Sequence, residues 1–130
     1  DNKVYRAQED YYKYIKNKHH LVMKIYHNPR CSKSRAGLQY LEEKGYDIEV
    51  KKYLDEGITE KELADIITKT GKKAEDFVRK HEKDYITNYK GKEFTDYQWN
   101  NILIKNPKLL HRPNVVNGSK AVLANPPENI

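Results

Sequence analysis

Cysteine is scarce in this sequence, which has one among its 130 residues. A single cysteine cannot form an internal disulfide, so the disulfide-stapled scaffolds of small extracellular domains are excluded. Long apolar runs are missing too, since no stretch approaches the roughly 18 residues that a membrane-spanning helix needs. The start of the chain also lacks the apolar core of a secretory signal. We therefore expect a cytoplasmic protein that does not engage a membrane.

The balance of charges favours the basic side, with 25 Lys and Arg against 19 Asp and Glu and a net charge of +6. Such a surplus would suit nucleic acid, an acidic protein or an anionic substrate. It is spread along the chain in mixed runs such as Lys61-Glu62 and Glu82-Lys83-Asp84, which is typical of a solvated surface. We therefore do not expect nucleic acid as a partner.

The first 21 residues differ in composition from the rest. They are polar, contain four of the 11 tyrosines and have few aliphatic side chains, which is too little for a core. The only methionine, Met23, follows them, and the adjacent His19 and His20 lack the further ligands that a metal site needs. We interpret residues 1–21 as an N-terminal extension, of engineered or upstream origin, and residues 22–130 as the domain.

The opening of the domain predicts a strand, a helix and a second strand. Apolar residues alternate over 22–26, and Asn28-Pro29 ends that strand. Residues 32–44 carry apolar side chains at helical spacing, and Gly45 suits a left-handed cap. Alternation resumes from Ile48 toward Leu54.

Helices are predicted in the middle of the chain and a hairpin near its end. Thr59 with Glu62 and Thr95 with Gln98 have the spacing of capping boxes, and the helices they open should end near Gly71 and Pro107. A shorter helix is predicted over 74–80. Asn117-Gly118 favours a tight hairpin turn between two short strands, and 126–128 resemble the first turn of a last helix.

This order of elements predicts an α/β fold. The strand–helix–strand unit requires a parallel pair, to which the hairpin adds antiparallel strands. The result is a thioredoxin-like mixed four-stranded sheet with a helical lobe inserted between its second and third strands.

The lone cysteine lies where the first helix is predicted to begin. Unpaired N–H groups and the helix dipole stabilise a thiolate there, and Arg30, Lys33 and Arg35 add positive charge. A lone cysteine is often only a small buried residue, but the polar and cationic flanks of Cys31 favour a nucleophile beside an oxyanion pocket.

A dithiol mechanism is excluded, because the position three residues after Cys31 is Ser34. An oxidised Cys31 must therefore be resolved by a thiol from another molecule. Hydrolysis with a histidine base stays open, since His27, His81 and His111 are present. His27 is the best placed of them, either to move a proton or only to end the strand.

Residues 27–35, HNPRCSKSR, resemble the active-site loop of the glutaredoxin-dependent arsenate reductase family, and the likeness runs from about Met23 to Glu128. The blocks 77–80 and 110–116 resemble two further family segments. The first is a helix with an oxyanion-binding arginine, and the second has an arginine before a cis proline. The resemblance therefore implies that Arg79 and Arg112 bind the substrate.

The sequence departs from the family pattern at Asn125, where the resemblance implies a third arginine. Asparagine donates hydrogen bonds but has neither the charge nor the bidentate fork of arginine. Arg30 stands beside Cys31, where the family has a small residue, and is a candidate to compensate.

The resemblance implies an enzyme that reduces arsenate to arsenite through Cys31. External glutathione and glutaredoxin would supply the electrons, with no bound cofactor or metal. His27 joins Arg79 and Arg112 as a candidate substrate-binding residue, and Arg30, Ser34 and Arg35 would support the site.

Two alternatives remain open. One is an Spx-type regulator that binds RNA polymerase, although Ser34 denies it the paired-cysteine switch. The other is a general thiol-transfer enzyme.

Overall fold

Four short strands form one mixed sheet in the computed structural model, which describes residues 22–130. The strands are β1 (Val22–Tyr26), β2 (Asp47–Lys51), β3 (Asn114–Asn117) and β4 (Lys120–Leu123). Their order across the sheet is β2-β1-β3-β4, with β1 and β2 parallel and the other pairs antiparallel. The predicted mixed four-stranded sheet is confirmed. The boundary predicted after residue 21 concerns a segment outside the described residues.

Five α-helices and three short 3₁₀ helices complete this part of the chain. The α-helices are α1 (Ser32–Glu43), α2 (Tyr53–Glu56), α3 (Glu60–Thr70), α4 (Lys83–Asn88) and α5 (Asp96–Lys105). The 3₁₀ helices are Ala74–Phe77, Pro107–Leu109 and Pro127–Asn129. Between residues 22 and 130, no helix is both long and apolar enough to cross a membrane.

The two faces of the sheet have separate cores, because alternate side chains of a strand point to opposite faces. On one face Met23, Ile25 and Val115 pack with Leu41 of α1. On the other, Tyr26 belongs to the larger core of the inserted lobe. That core contains buried side chains from α2, α3, α5, the turns around these helices and β4: Tyr53, Ile58, Leu63, Ile66, Ala74, Phe77, Val78, Trp99, Leu103, Leu109, Leu110 and Ala121. Each large side chain contributes about 1.5–3 kcal/mol by its burial.

The predicted helix boundaries are confirmed where side chains or glycines define them. Thr59 and Thr95 both form capping boxes, at the starts of α3 and α5. Gly45 and Gly71 follow α1 and α3 with φ of 77° and 71°. Helix α5 ends at Lys105, two residues before Pro107.

Three local predictions are wrong. Strand β2 ends at Lys51, and the following residues form α2 because Tyr53 is buried against the lobe. The predicted helix over 74–80 is only the 3₁₀ turn Ala74–Phe77, since Val78 pairs with Leu110 in an antiparallel bridge.

The third error concerns the hairpin turn. Asn117 pairs with Lys120 as part of the ladder, so the turn consists of Gly118 and Ser119. Of these two residues only Gly118 has positive φ, at 59°. A positive φ at the first central residue alone is typical of a type II′ turn, whereas a type I′ turn, which Asn-Gly favours, needs positive φ at both.

Candidate active site

The loop that carries Cys31 joins the carboxyl end of β1 to the start of α1. His27 continues the sheet by donating its backbone N–H to the Lys51 carbonyl at 2.8 Å. The loop then turns back, with the Cys31 N–H bonded to the Asn28 carbonyl at 3.0 Å. Cys31 is the residue that precedes the first helical residue of α1 and has extended backbone angles. Its sulfur is therefore placed at the positive end of the helix, as the sequence predicted.

Ser34 fixes this loop from inside the first turn of α1. It is fully buried, and its hydroxyl accepts the Asn28 N–H at 2.9 Å. The same oxygen lies 2.7 Å from Nδ1 of His27. The hydroxyl has one donor hydrogen and a second lone pair, so it can either donate to Nδ1 or accept from it, according to the tautomer of the imidazole.

His27 is buried and neutral under ordinary conditions. Burial lowers the pKa of its imidazole, and the charges of Lys52 and Arg35 lower it further. A neutral imidazole has one N–H donor and one acceptor nitrogen, and it adds no positive charge to the loop.

The sulfur of Cys31 is in direct contact with Arg112, whose Nε donates to Sγ at 3.0 Å. Partial burial alone would raise the pKa of the Cys31 thiol. The Ser34 N–H, the Arg112 guanidinium and the Lys33 N–H outweigh this effect, so the pKa lies below its ordinary value. The two backbone N–H groups fall outside regular hydrogen-bond geometry, so within residues 22–130 Arg112 makes the one regular hydrogen bond to the sulfur.

Arg112 reaches the sulfur because its segment packs directly on α1. The Arg112–Pro113 peptide bond is cis, and the Pro113 carbonyl accepts the Ala124 N–H at 2.9 Å. Gly37 of α1 faces Pro113, where a Cβ atom would lie 2.7 Å from the proline Cγ. Only glycine permits this approach without a shift.

Arg79 lies in the lobe, and its side-chain hydrogen bond and ion pair are made with groups other than Cys31. Its Nη1 donates to the Lys108 carbonyl at 3.1 Å, and its Nη2 pairs with Glu82 at 2.7 Å. Its Nε is buried and has no partner within the described residues. Because Arg79 follows the Val78–Leu110 bridge, it lies in an extended segment and not on a helix.

The charges of Arg79 and Arg112 both act on two neighbouring side chains, Tyr53 and His111. Burial raises the pKa of the Tyr53 hydroxyl to about 12, while Arg112 and Arg79 oppose the rise and Cys31 adds to it. Burial also lowers the pKa of His111, and both arginines lower it further. The charges of Arg79, Arg112 and Cys31 therefore act on a shared cluster.

The remaining predicted residues lie around the loop. Arg35 donates to the Pro29 carbonyl at 2.9 Å, so it braces the loop from outside. Arg30 is exposed and lines a pocket of about 240 Å³ with Lys52 and Asp55. Asn125 is exposed and follows Ala124, whose N–H donates a hydrogen bond to the Pro113 carbonyl.

Three contributors to the site were not predicted: Gly37, Tyr53 and Glu82. A glycine inside a predicted helix is a signal for close packing, because glycine lowers helix stability there. Tyr53 and Glu82 gave no signal, since the first was assigned to an extended segment and the second to a charged run. Within residues 22–130, no three His, Cys, Asp or Glu side chains are grouped to hold a metal ion.

The fold and the site define a class of protein: a thioredoxin-like domain with one cysteine at a helix N-terminus and a guanidinium on its sulfur. Comparison with known proteins gives the particular family. Residues 26–130 match the ArsC family, and the chain belongs to that family.

The chain is also similar to individual proteins over most of its length. The chain is 42% identical over 113 residues to an arsenate reductase of Neisseria meningitidis, covering 83% of this chain and 94% of that protein. It is also 37% identical to the uncharacterized protein YfgD of Escherichia coli, covering 83% of this chain and 92% of that protein. The solved arsenate reductase of Vibrio cholerae superposes with a TM-score of 0.79 at 33% identity, covering 85% of this chain and 96% of that one. The predicted thioredoxin-like fold and arsenate reductase family are confirmed.

Proposed function

We propose that this protein reduces arsenate to arsenite, with Cys31 as the nucleophile. The observation that carries the proposal is the hydrogen bond from Arg112 to Cys31 Sγ at the start of α1. It joins a stabilised thiolate to a cation suited to an oxyanion. The arsenate reductase names of the relatives support the choice of substrate.

In the first step the Cys31 thiolate attacks arsenic. A sulfur–arsenic bond forms, and one arsenic–oxygen bond breaks, with the oxygen leaving as water after protonation. Arg112 and Arg79 hold the remaining oxygens, and a guanidinium suits this task because its donors form a fixed fork. The neutral His27 is a further candidate to donate to a bound oxyanion, and Ser34 and Arg35 hold the backbone of the loop.

Two electrons must then reach arsenic, and two thiols supply them. The glutathione thiolate attacks the arsenic of the Cys31 adduct, and a second oxygen leaves as water after protonation, so that arsenic(V) carries both sulfurs. The glutaredoxin thiolate then attacks the glutathione sulfur; the bond between arsenic and that sulfur breaks with its electron pair left on arsenic, and a glutathione–glutaredoxin disulfide forms. Water displaces the Cys31 thiolate from arsenic(III), which releases arsenite. External thiols are required because the chain has only one cysteine. Glutaredoxin is thus the proposed partner and the cytoplasm, with its reduced glutathione, the proposed location.

The oxyanion pocket has one arginine fewer than the family pattern implies. Asn125 leaves Arg112 and Arg79 as the two guanidinium groups, with the exposed Arg30 beside the loop. We propose that the site binds a small oxyanion, and with lower affinity for arsenate than a site with three arginines would have.

A coupled assay tests this function. Purified protein is mixed with arsenate, glutathione, glutaredoxin, glutathione reductase and NADPH, and NADPH consumption is followed together with arsenite release. We expect turnover by the wild-type protein and none by Cys31→Ser, which has nearly the same shape.

Other outcomes would support the alternatives. Reduction of small disulfides without arsenate turnover would identify a general thiol-transfer enzyme. Specific capture of the RNA polymerase alpha subunit by a protein without turnover would identify a regulator.

A further inference from the structure

The ion pair between Arg79 and Glu82 has no role in the reaction described above. Nη2 of Arg79 lies 2.7 Å from Oε1 of Glu82, and the two side chains are 16% and 33% exposed. At this burial the pair is screened less than a surface pair. Its partner charges therefore remain coupled to nearby groups.

The backbone holds Glu82 in place. The Arg79 N–H is bonded to the Leu109 carbonyl at 2.7 Å, and the Glu82 N–H returns to the Arg79 carbonyl at 3.1 Å. Glu82 also precedes the first residue of α4, and its carbonyl accepts the Ile86 N–H at 3.1 Å. Both ends of the ion pair are thus fixed by main-chain hydrogen bonds.

The other donors of Arg79 show which part of the guanidinium stays open to an anion. Nη1 donates to the Lys108 carbonyl and Nη2 pairs with Glu82, while the buried Nε has no partner in residues 22–130. Leaving a buried donor without a partner is unfavourable, so an acceptor that reaches it is favoured. The Nε–H is therefore open to a further acceptor, whereas the positive charge of the guanidinium is already neutralised by a carboxylate.

We propose that Glu82 is a specificity-determining residue, because its carboxylate competes with the substrate oxyanion for Arg79 and weakens the binding of multiply charged oxyanions. The inference rests on the proposed function, in which Arg79 helps to bind the oxyanion. Asn125 stands where a third arginine is implied, and Glu82 pairs with Arg79. Of the two proposed substrate-binding arginines, only Arg112 therefore has no carboxylate partner in the described part of the chain. The repulsion between Glu82 and a bound anion grows with the charge of the anion.

The test compares sulfate and nitrate as probes, a divalent and a monovalent oxyanion. The full chain and its Glu82→Gln variant are titrated with each sodium salt at constant ionic strength, and binding is measured by calorimetry and by protection of Cys31 from iodoacetamide. Glutamine keeps an oxygen that can accept from Nη2, so the substitution removes the charge and retains the contact.

We expect Glu82→Gln to tighten sulfate binding by roughly tenfold and nitrate binding by only about threefold. Glu75→Gln is the matched control, since Glu75 pairs with Lys80 at 3.0 Å on the surface, and it should change either affinity by less than about twofold. In an Arg79→Gln background the gain from Glu82→Gln should shrink to about threefold or less.

Equal sulfate affinity of wild type and Glu82→Gln would overturn the inference, as would equal gains for sulfate and nitrate. The coupled arsenate assay separates this failure from that of the proposed function. If the wild type turns over arsenate but Glu82→Gln gains no sulfate affinity, the proposed function stands and competition by Glu82 is refuted. If Glu82→Gln gains sulfate affinity but neither protein turns over arsenate, competition by Glu82 stands and the proposed function is refuted.

Discussion

Two groups beside the Cys31 sulfur favour its ionisation. The sulfur is partly buried, which by itself opposes ionisation, and the Ser34 N–H together with the hydrogen bond from Arg112 at 3.0 Å outweighs that cost. The Arg112 guanidinium would also stabilise an oxyanion that replaces the thiolate as its partner. In the proposed reaction Arg112 would therefore act on both the thiol and the substrate.

The pKa of the Cys31 thiol should rise when Arg112 is removed. We expect Arg112→Ala to shift the midpoint of iodoacetamide alkylation to higher pH, because the thiolate loses its regular hydrogen bond and an adjacent cation. Alkylation rates across pH, with product identified by mass spectrometry, measure the midpoint.

Arg30→Ala is the control for that experiment. It removes the same charge from an exposed residue adjacent to Cys31, whereas the hydrogen bond to the sulfur comes from Arg112. A shift as large in Arg30→Ala as in Arg112→Ala would contradict the assignment of the effect to the hydrogen bond.

A gain of function is expected at Asn125. Asn125 is exposed, and the preceding residue, Ala124, donates its N–H to the Pro113 carbonyl. Asn125→Arg would therefore add a cationic donor near the segment that carries Arg112. We expect tighter sulfate and arsenate binding, by several-fold, and a lower KM for arsenate. Asn125→Gln, which lengthens the side chain without adding charge, is the control. Unchanged affinity in Asn125→Arg would indicate a substrate unlike arsenate.

At the scale of elements, the position of α1 against the Pro113 segment decides whether the site is assembled. Replacement of glycine by alanine inside a helix normally stabilises it by about 0.5–1 kcal/mol. At Gly37 the added Cβ would lie 2.7 Å from Pro113 Cγ, and a proline ring cannot rotate away.

We therefore expect Gly37→Ala to destabilise the protein by about 1–3 kcal/mol. It should also raise the pKa of the Cys31 thiol, since α1 would move away from Arg112. Urea unfolding and the alkylation midpoint measure the two effects, and Ala36→Ser on the exposed side of α1 is the control. An increase in stability would show that the contact between helix and proline is loose.

The start of α3 depends on Glu62, which has several partners at once. Its carboxylate accepts from Lys51 at 2.5 Å, from the Tyr26 hydroxyl at 3.0 Å and from the Thr59 N–H at 3.2 Å. Burial alone would raise the pKa of this carboxyl, but the bonds from Lys51, Thr59 and Tyr26 lower it from 4.5 to about 2.

A lowered folded pKa means that Glu62 stabilises the protein fully above the unfolded pKa near 4.5, and that this contribution is lost as the pH falls toward 2. The difference in free energy of unfolding between wild type and Glu62→Gln should therefore shrink between pH 5 and about pH 2.5. Urea unfolding at several pH values measures it. Glu49→Gln, at an exposed carboxylate, should cost little at neutral pH, and a Glu62→Gln difference independent of pH would contradict the assignment.

At the scale of the whole molecule, residues 22–130 contain both cores, the sheet and every contact of the candidate site described above. We expect deletion of residues 1–21 to change the melting temperature by no more than a few degrees and to leave Cys31 alkylation unchanged. Thermal unfolding of the two proteins, monitored by circular dichroism, measures the difference. A large drop in melting temperature would place the domain boundary before residue 22.

Most of the fold could be predicted from the sequence, because its signals are local. Alternation over Val22–Tyr26, the capping box at Thr59 and the glycine after α1 each depend on a few neighbouring residues. The prediction failed at Val78, where a local helical pattern competes with pairing to Leu110, 32 residues later along the chain. Pairing over such a distance leaves no signature in a short window of sequence.

For the site, local sequence signals were enough to find the candidate nucleophile: one cysteine before a helix with cationic neighbours and with Ser34 in place of a second thiol. Which charges act on that cysteine depends on the packing of distant segments. This packing places Arg112, 81 residues away, on the sulfur, and holds Arg79 against Glu82. The reason is physical: helix propensity and capping act over a few residues, whereas the energy between charges depends on distance and burial, which only packing sets.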